Sequence, residues 1–116
     1  MIYDTSIVIE MIRRNRFAEG SISVLTLIEV LRGVKSSKRE KTKKLLEEIF
    51  DIYYLDNEII LKYCELYNFL KKEGKLIPDA DLIIAATALT YGEELITKDK
   101  HFLVLEKAGL RVTVLD

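Results

Sequence analysis

The chain reads as an α/β protein in which a mainly parallel sheet is covered by helices on both faces. Three observations carry that reading. Short apolar runs bounded by turn residues alternate with longer stretches of helical spacing along the whole chain. The most apolar helical stretch, Leu82-Ile83-Ile84-Ala85-Ala86, has no polar side, as expected of a helix packed deep against a sheet. Glycines stand where helical patterns stop, at Gly33, Gly74 and Gly92.

The elements follow in order. Met1–Asp4 is a very short first strand, and Thr5 or Ser6 is placed to cap a helix running to about Arg14. Ser21–Leu25 is a second strand, followed by a helix from Thr26 to about Gly33. Ser37–Phe50 is amphipathic, with Leu45, Leu46, Ile49 and Phe50 on its inner side. Ile52–Leu55 is a third strand. Asn57–Glu73 is the longest helix, since Ile59, Ile60, Tyr63, Leu66, Tyr67 and Leu70 keep helical spacing. Pro78-Asp79 opens a helix through Tyr91. Glu94–Thr97 is a fourth strand, His101–Ala108 a short helix and Arg111–Leu115 a last strand. There is no repeat, low-complexity tract or linker, so residues 1–116 are expected to form one domain. A domain of that length buries roughly two-thirds of the surface of its unfolded chain.

Composition excludes several function classes. No segment approaches the ~18 unbroken apolar residues of a membrane span, and the N-terminus lacks a basic-then-apolar secretion signal. The lone Cys64 excludes an internal disulfide and a cysteine-based zinc site, and a reducing cytoplasm is the expected location. A net charge of −1 does not advertise nucleic-acid binding. The charge is uneven, however: Lys35, Lys38, Arg39, Lys41, Lys43 and Lys44 crowd one stretch, broken only by Glu40. Such a run is usually a solvated helix face; beside an acidic site it could guide a phosphate backbone, as could Arg13, Arg14 and Arg16.

Four carboxylates are placed by this topology. Ligand sites in parallel α/β folds lie outside the carboxyl ends of the strands. Asp4 ends the first strand and Asp99 follows the fourth. Glu29 lies near the start of the helix after strand two, and Asp81 near the start of the helix before strand four. Crossover helices run opposite to the strands, so all four acids are expected on one rim. Crowded carboxylates are unstable unless a divalent cation or shared protons neutralise them.

Each acid also has a structural alternative. Asp4 could be a helix N-cap, and Asp99 could cap the short helix that follows it. Asp79, after Pro78, is the stronger capping candidate, with a supporting role beside a metal as its alternative. Asp81 sits one turn further in, where the helix dipole tolerates a carboxylate. Glu29 lies in Val24-Leu25-Thr26-Leu27-Ile28-Glu29-Val30-Leu31, a run that reads as core. Its structural rivals are a capping box with Thr26 and a pair with Arg32.

An all-oxygen site prefers magnesium or manganese, which also bind phosphate oxygens and can activate a water for in-line displacement. Ser6 and Thr97 stand beside Asp4 and Asp99 and could orient ligands, local capping being the alternative. His101, the only histidine, would be inert if exposed, or else contact a substrate phosphate. With one His, histidine-based nuclease chemistry is not expected, and neither a GxxxxGK[ST] loop nor a GxGxxG fingerprint occurs.

Four segments together resemble PIN-domain ribonucleases, closest in type to the VapC-like toxins of toxin–antitoxin pairs. They are Ile2-Tyr3-Asp4-Thr5-Ser6, Ser23–Gly33, Ile77–Leu89 and Leu95–Phe102. The resemblance covers the whole chain in order. It implies a PIN-like three-layer α/β/α sandwich and a Mg2+- or Mn2+-dependent endoribonuclease. Asp4, Glu29 and Asp81 match the family's three central acids, and Asp99 its more variable fourth. Many relatives carry an acid where this chain has His101. The resemblance also implies a homodimer held inactive by an antitoxin whose tail crosses the active-site groove. The chain is short for the family, with one long helix between Gly33 and Phe50 and little room for a second. Two alternatives stand beside the toxin reading: a PIN nuclease of RNA maturation or DNA flaps, and a non-catalytic magnesium-binding α/β module. A receiver-like module would need an early acidic pair, and only Asp4 is present there.

Overall fold

A computed structural model describes all residues, Met1–Asp116. In chain order the elements are β1 (Ile2–Tyr3), α1 (Thr5–Arg14), β2 (Ser21–Ser23), α2 (Val24–Arg32), α3 (Ser36–Ile49), β3 (Asp51–Tyr53), α4 (Asn57–Glu73), α5 (Asp79–Thr90), β4 (Leu95–Thr97), a 3-10 segment (Lys100–Ala108) and β5 (Val112–Val114). The five strands form one sheet in the order β3-β2-β1-β4-β5. Every pairing is parallel. The expected α/β class is therefore observed, with β1 at the centre.

Alternation along the central strands divides the core into two layers. Ile2 and Leu95 face α4, α5 and the 3-10 segment, packing with Ile59, Leu70, Leu82, Ile84 and Phe102. Tyr3 and Ile96, one residue on, face the other way and pack with Ile7, Val8, Leu27, Val30, Leu46 and Phe50. A period of two in side-chain direction is what puts neighbouring residues into separate cores. No helix is long and apolar enough to cross a membrane.

Several element bounds shift by a residue or two from the sequence reading, and two differences bear on the site. The second strand ends at Ser23 rather than Leu25, and its helix begins at Val24. Ser23 has extended dihedrals and its hydroxyl accepts from the Leu25 N–H at 3.0 Å, so a serine at the strand's last position caps the helix directly. The last helix is 3-10 rather than α, and runs nine residues. One glycine is fixed by close approach: Gly20, at φ +156°, would put a Cβ 2.5 Å from the Tyr3 ring. Tyr3 uses that space to donate its hydroxyl to the Glu19 carbonyl at 2.7 Å.

Candidate active site

Asp4 is the first residue after β1. Its N–H still donates to Ile96 on β4 at 2.9 Å, which ties the start of α1 to the sheet's central pair of strands. The side chain is only 5% exposed. One oxygen, Oδ1, accepts from the Thr5 N–H at 2.8 Å and so caps α1. The other, Oδ2, accepts from Thr97 Oγ1 at 2.7 Å and from Ser6 Oγ at 3.2 Å. Asp4 is thus both a cap and a member of the rim. Ser6 and Thr97 do more than cap locally, since both hold this carboxylate.

Glu29 projects from the second turn of α2. Thr5 Oγ1 donates to its Oε1 at 2.6 Å and also lies 3.1 Å from Thr26 Oγ1. The Thr26–Glu29 capping box does not form, because Ser23 is the cap and Thr26 is fully buried beside Thr5. Arg32 reaches Oε2 only at 3.8 Å from a largely exposed position, a contact worth little. Nor is the whole run core: Ile28 is 53% exposed, because α2 turns that side to solvent.

Asp81 and Asp99 come from different elements, one in the first turn of α5 and the other just after β4. His101 spans them. Its Nδ1 lies 2.7 Å from Asp99 Oδ1 and its Nε2 3.1 Å from Asp81 Oδ2. Asp99 also caps the 3-10 segment by accepting from the His101 N–H at 3.2 Å, and its own N–H donates to Thr97 Oγ1 at 3.0 Å. Asp79 does not cap α5 as expected. Pro78 takes the cap position without a side-chain bond, and Asp79 instead accepts from the Tyr63 hydroxyl at 2.6 Å. A neighbouring helix offers a stronger donor than the first-turn amides do.

Electrostatics places the four acids in one field. Burial pushes the Asp81 carboxyl above the ordinary aspartate range, and the negative charge of Asp4 pushes it further. His101 opposes the shift, while Glu29 and Asp99 add to it. No three acid or histidine side chains are drawn together closely enough to form a ready ligand shell. Hydroxyl groups take up lone pairs of Asp4 and Glu29, and the imidazole of His101 lies between Asp81 and Asp99. The donor chemistry fits a hard divalent cation: the acids offer only oxygen, one of them is buried, and another resists its own charge among like-charged neighbours.

Sequence reasoning missed Thr5 as a bridge between Asp4 and Glu29, and the bridging geometry of His101. The hydroxyl at Thr5 gave a capping signal only, since its partner lies 24 positions away. Within the Lys35–Lys44 run, the paired side chains do not contact any of the four acids. Lys43 pairs with Glu47 and Lys44 with Glu40, while Arg39 donates to the Leu31 and Val34 carbonyls at the end of α2.

Comparison with known proteins extends these observations. A sequence model described as the PIN domain matches residues 1–108. The chain is 40% identical over 116 aligned residues to Ribonuclease VapC1 of Methanocaldococcus jannaschii, covering 97% of this chain and 85% of the relative. It is 32% identical over 111 residues to Ribonuclease VapC1 of Rickettsia felis, covering 84% and 83%. Among solved structures, VapBC-1 from nontypeable Haemophilus influenzae superposes with a TM-score of 0.80 at 28% identity, over 98% of both chains.

Proposed function

Because the chain belongs to the PIN-domain family, we propose that its acidic rim hydrolyses RNA phosphodiester bonds with a divalent cation held by Asp4, Glu29, Asp81 and Asp99. The chain is an endoribonuclease of the toxin type, akin to the VapC ribonucleases. Magnesium is the expected ion and manganese its substitute. The observation that carries the site reading is geometric: the Thr97 hydroxyl joins Asp4 to the Asp99 backbone, Thr5 holds Glu29, and His101 lies between Asp81 and Asp99. A bound cation supplies charge neutralisation and activation of a water for attack on phosphorus.

The chain's own residues prepare that chemistry. Thr97, Ser6 and the Thr5 amide fix the Asp4 carboxylate from three directions, so its lone pairs are aimed before any ligand arrives. Thr5 does the same for Glu29. His101 keeps Asp81 and Asp99 within one imidazole's span.

A cognate antitoxin is the expected partner, as in the VapBC complexes this fold resembles. A homodimer in the cytoplasm completes the proposal. Cleavage of a structured RNA pool with magnesium, manganese or chelator tests it. Wild type should cut only with metal, and Asp4→Asn and Asp81→Asn should not cut. Metal-independent cleavage, or full activity in both variants, would sink the mechanism.

A further inference from the structure

Beside the acids, on the α1 face of the sheet, lies a second charged feature that the hydrolytic site does not use. A cleft of about 500 Å³ runs between α1 and the segment after β4. It is lined by Ser6, Ile9, Glu10, Arg13, Arg14 and Lys98. Only one of these is apolar, and three carry positive charge against one negative. In a chain whose net charge is −1, that local excess of cations stands out.

Glu10 sits in the middle of the cations. Its Oε2 lies 2.5 Å from Lys98 Nζ and its Oε1 3.1 Å from Arg14 Nη2. The Lys98 contact, with Arg14 and Arg13 adding to it, holds the Glu10 carboxyl below the ordinary range against some opposing burial. Arg13 pairs with no carboxylate. It also borders the neighbouring groove that reaches Glu29, so it lines both the cleft and the approach to that acid. The cleft is joined to the reacting centre through Ser6, whose Oγ donates to Asp4 Oδ2 and accepts from the Lys98 N–H at 3.4 Å. One serine therefore separates a carboxylate of the rim from the floor of the basic cleft.

We infer that this cleft seats an RNA phosphate next to the scissile one, and that Glu10 is an internal stand-in for that phosphate. The inference rests on the ribonuclease reading for its choice of RNA. A carboxylate among three cations gives Lys98 and Arg14 an anionic partner while no substrate is bound. An incoming phosphate offers the same acceptor oxygens with more charge, so it displaces Glu10 and takes its cations together with Arg13. The acidic rim repels a polyanion at every point except where metal is held. A strand crossing the rim therefore needs a cationic foothold beside it, and this cleft is the one that touches Asp4 through Ser6. An acidic peptide fits less well, since a cleft with a single apolar residue gives its side chains little to pack against.

In this arrangement Glu10 sets affinity by competition, and Arg13 adds to it without competition. Glu10→Gln should bind RNA more tightly, whereas loss of any ordinary contact residue weakens binding. That opposite sign separates the proposal from a merely structural role for the Glu10 pairs.

The test is binding of a fluorescein-labelled single-stranded RNA to the full chain in chelator, followed by anisotropy across a salt series. Arg13→Ala and Lys98→Ala should each weaken binding about fivefold to tenfold and flatten the log–log salt slope by about 0.7. Glu10→Gln should tighten binding about threefold or more, with thermal unfolding checked for each variant. With manganese present, Arg13→Ala should raise KM and leave kcat near wild type. Unchanged RNA affinity in folded Arg13→Ala and Lys98→Ala, or weaker binding in Glu10→Gln, overturns the proposal. So does a Glu10→Gln gain seen with a poly-glutamate peptide and not with RNA, which would make the cleft a protein-docking site. The ribonuclease reading fails separately: wild type that binds RNA with these mutant effects but never cuts it keeps the cleft and loses the hydrolysis.

Discussion

Thr97 Oγ1 donates a 2.7 Å hydrogen bond to Asp4 Oδ2, joining residues 93 positions apart at the ends of adjacent central strands. Thr97 is fully buried, and the same oxygen accepts from the Asp99 N–H. One hydroxyl thus orients two of the four acids. Thr97→Val keeps the shape and removes the hydroxyl, leaving buried Asp4 short of a donor. The expected result is a loss of about 1–3 kcal/mol in urea unfolding and roughly tenfold or more in ribonuclease rate. Thr97→Ser should recover most of both.

Asp81 gives a pH dependence of opposite sign to an ordinary ion-paired carboxylate. Its folded carboxyl titrates above the unfolded value, because burial comes first and Asp4 next in disfavouring its charge. Folding therefore favours the neutral form more than the unfolded chain does. The resulting stability is complete below the unfolded aspartate range, about pH 3.9, and is lost as pH rises through the folded value. In chelator, Asp81→Asn should melt higher than wild type at neutral pH, with the gap closing below about pH 4. The same variant should neither cut RNA nor gain stability from manganese. A lower melting temperature for Asp81→Asn in chelator would show that its charge is already well compensated.

His101 offers Asp81 and Asp99 their shared side-chain partner, at 3.1 Å and 2.7 Å. Replacing it with Ala removes the bridge and leaves the repulsion between the acids. His101→Ala should melt lower than wild type in chelator and gain more from saturating manganese, since the ion then offsets repulsion the imidazole no longer relieves. Differential scanning calorimetry with and without manganese checks this. An unchanged manganese shift would mean that the bridge has no part in holding the two acids.

Glu93 anchors the opposite end of the sheet. Burial raises its carboxyl, but the Tyr53 hydroxyl and the Met1 amino group outweigh burial and hold it below the ordinary glutamate range. The amino group lies 2.9 Å from Oε1. A depressed folded value contributes stability above the unfolded glutamate range, about pH 4.3, and loses it as pH falls through the folded value. Glu93→Gln should cost about 1–3 kcal/mol at pH 7. The difference from wild type should shrink steadily below about pH 4.3. RNA cleavage per folded molecule should not change.

Much of the fold is legible where local patterns are strong. The longest helix, Asn57–Glu73, is read to the residue, because its apolar spacing is unbroken and Gly74 adopts the left-handed conformation that ends it. The Ser23 start of α2 is less legible, since a serine between two apolar runs suits a strand as well as a cap. Ile28 reads as core by its company alone, and only the orientation of α2 leaves it exposed. Asp79 shows the same gap: Pro78-Asp79 is a sound local capping signal, but Tyr63 on α4 competes for the carboxylate from 16 positions away.

The sequence by itself determined the alternation of strands and helices, and so the edge on which Asp4, Glu29, Asp81 and Asp99 are expected. That follows because parallel crossovers leave helix starts and strand ends on one side, whatever the packing details. Tertiary structure alone decided which partners hold those acids. Thr5 reaches Glu29, Thr97 reaches Asp4, His101 spans Asp81 and Asp99, and Glu10 gathers Lys98 and Arg14. Four of these six contacts join different elements, and hydrogen bonds and ion pairs act only over a few ångströms. Their geometry exists only once the helices have docked on the sheet.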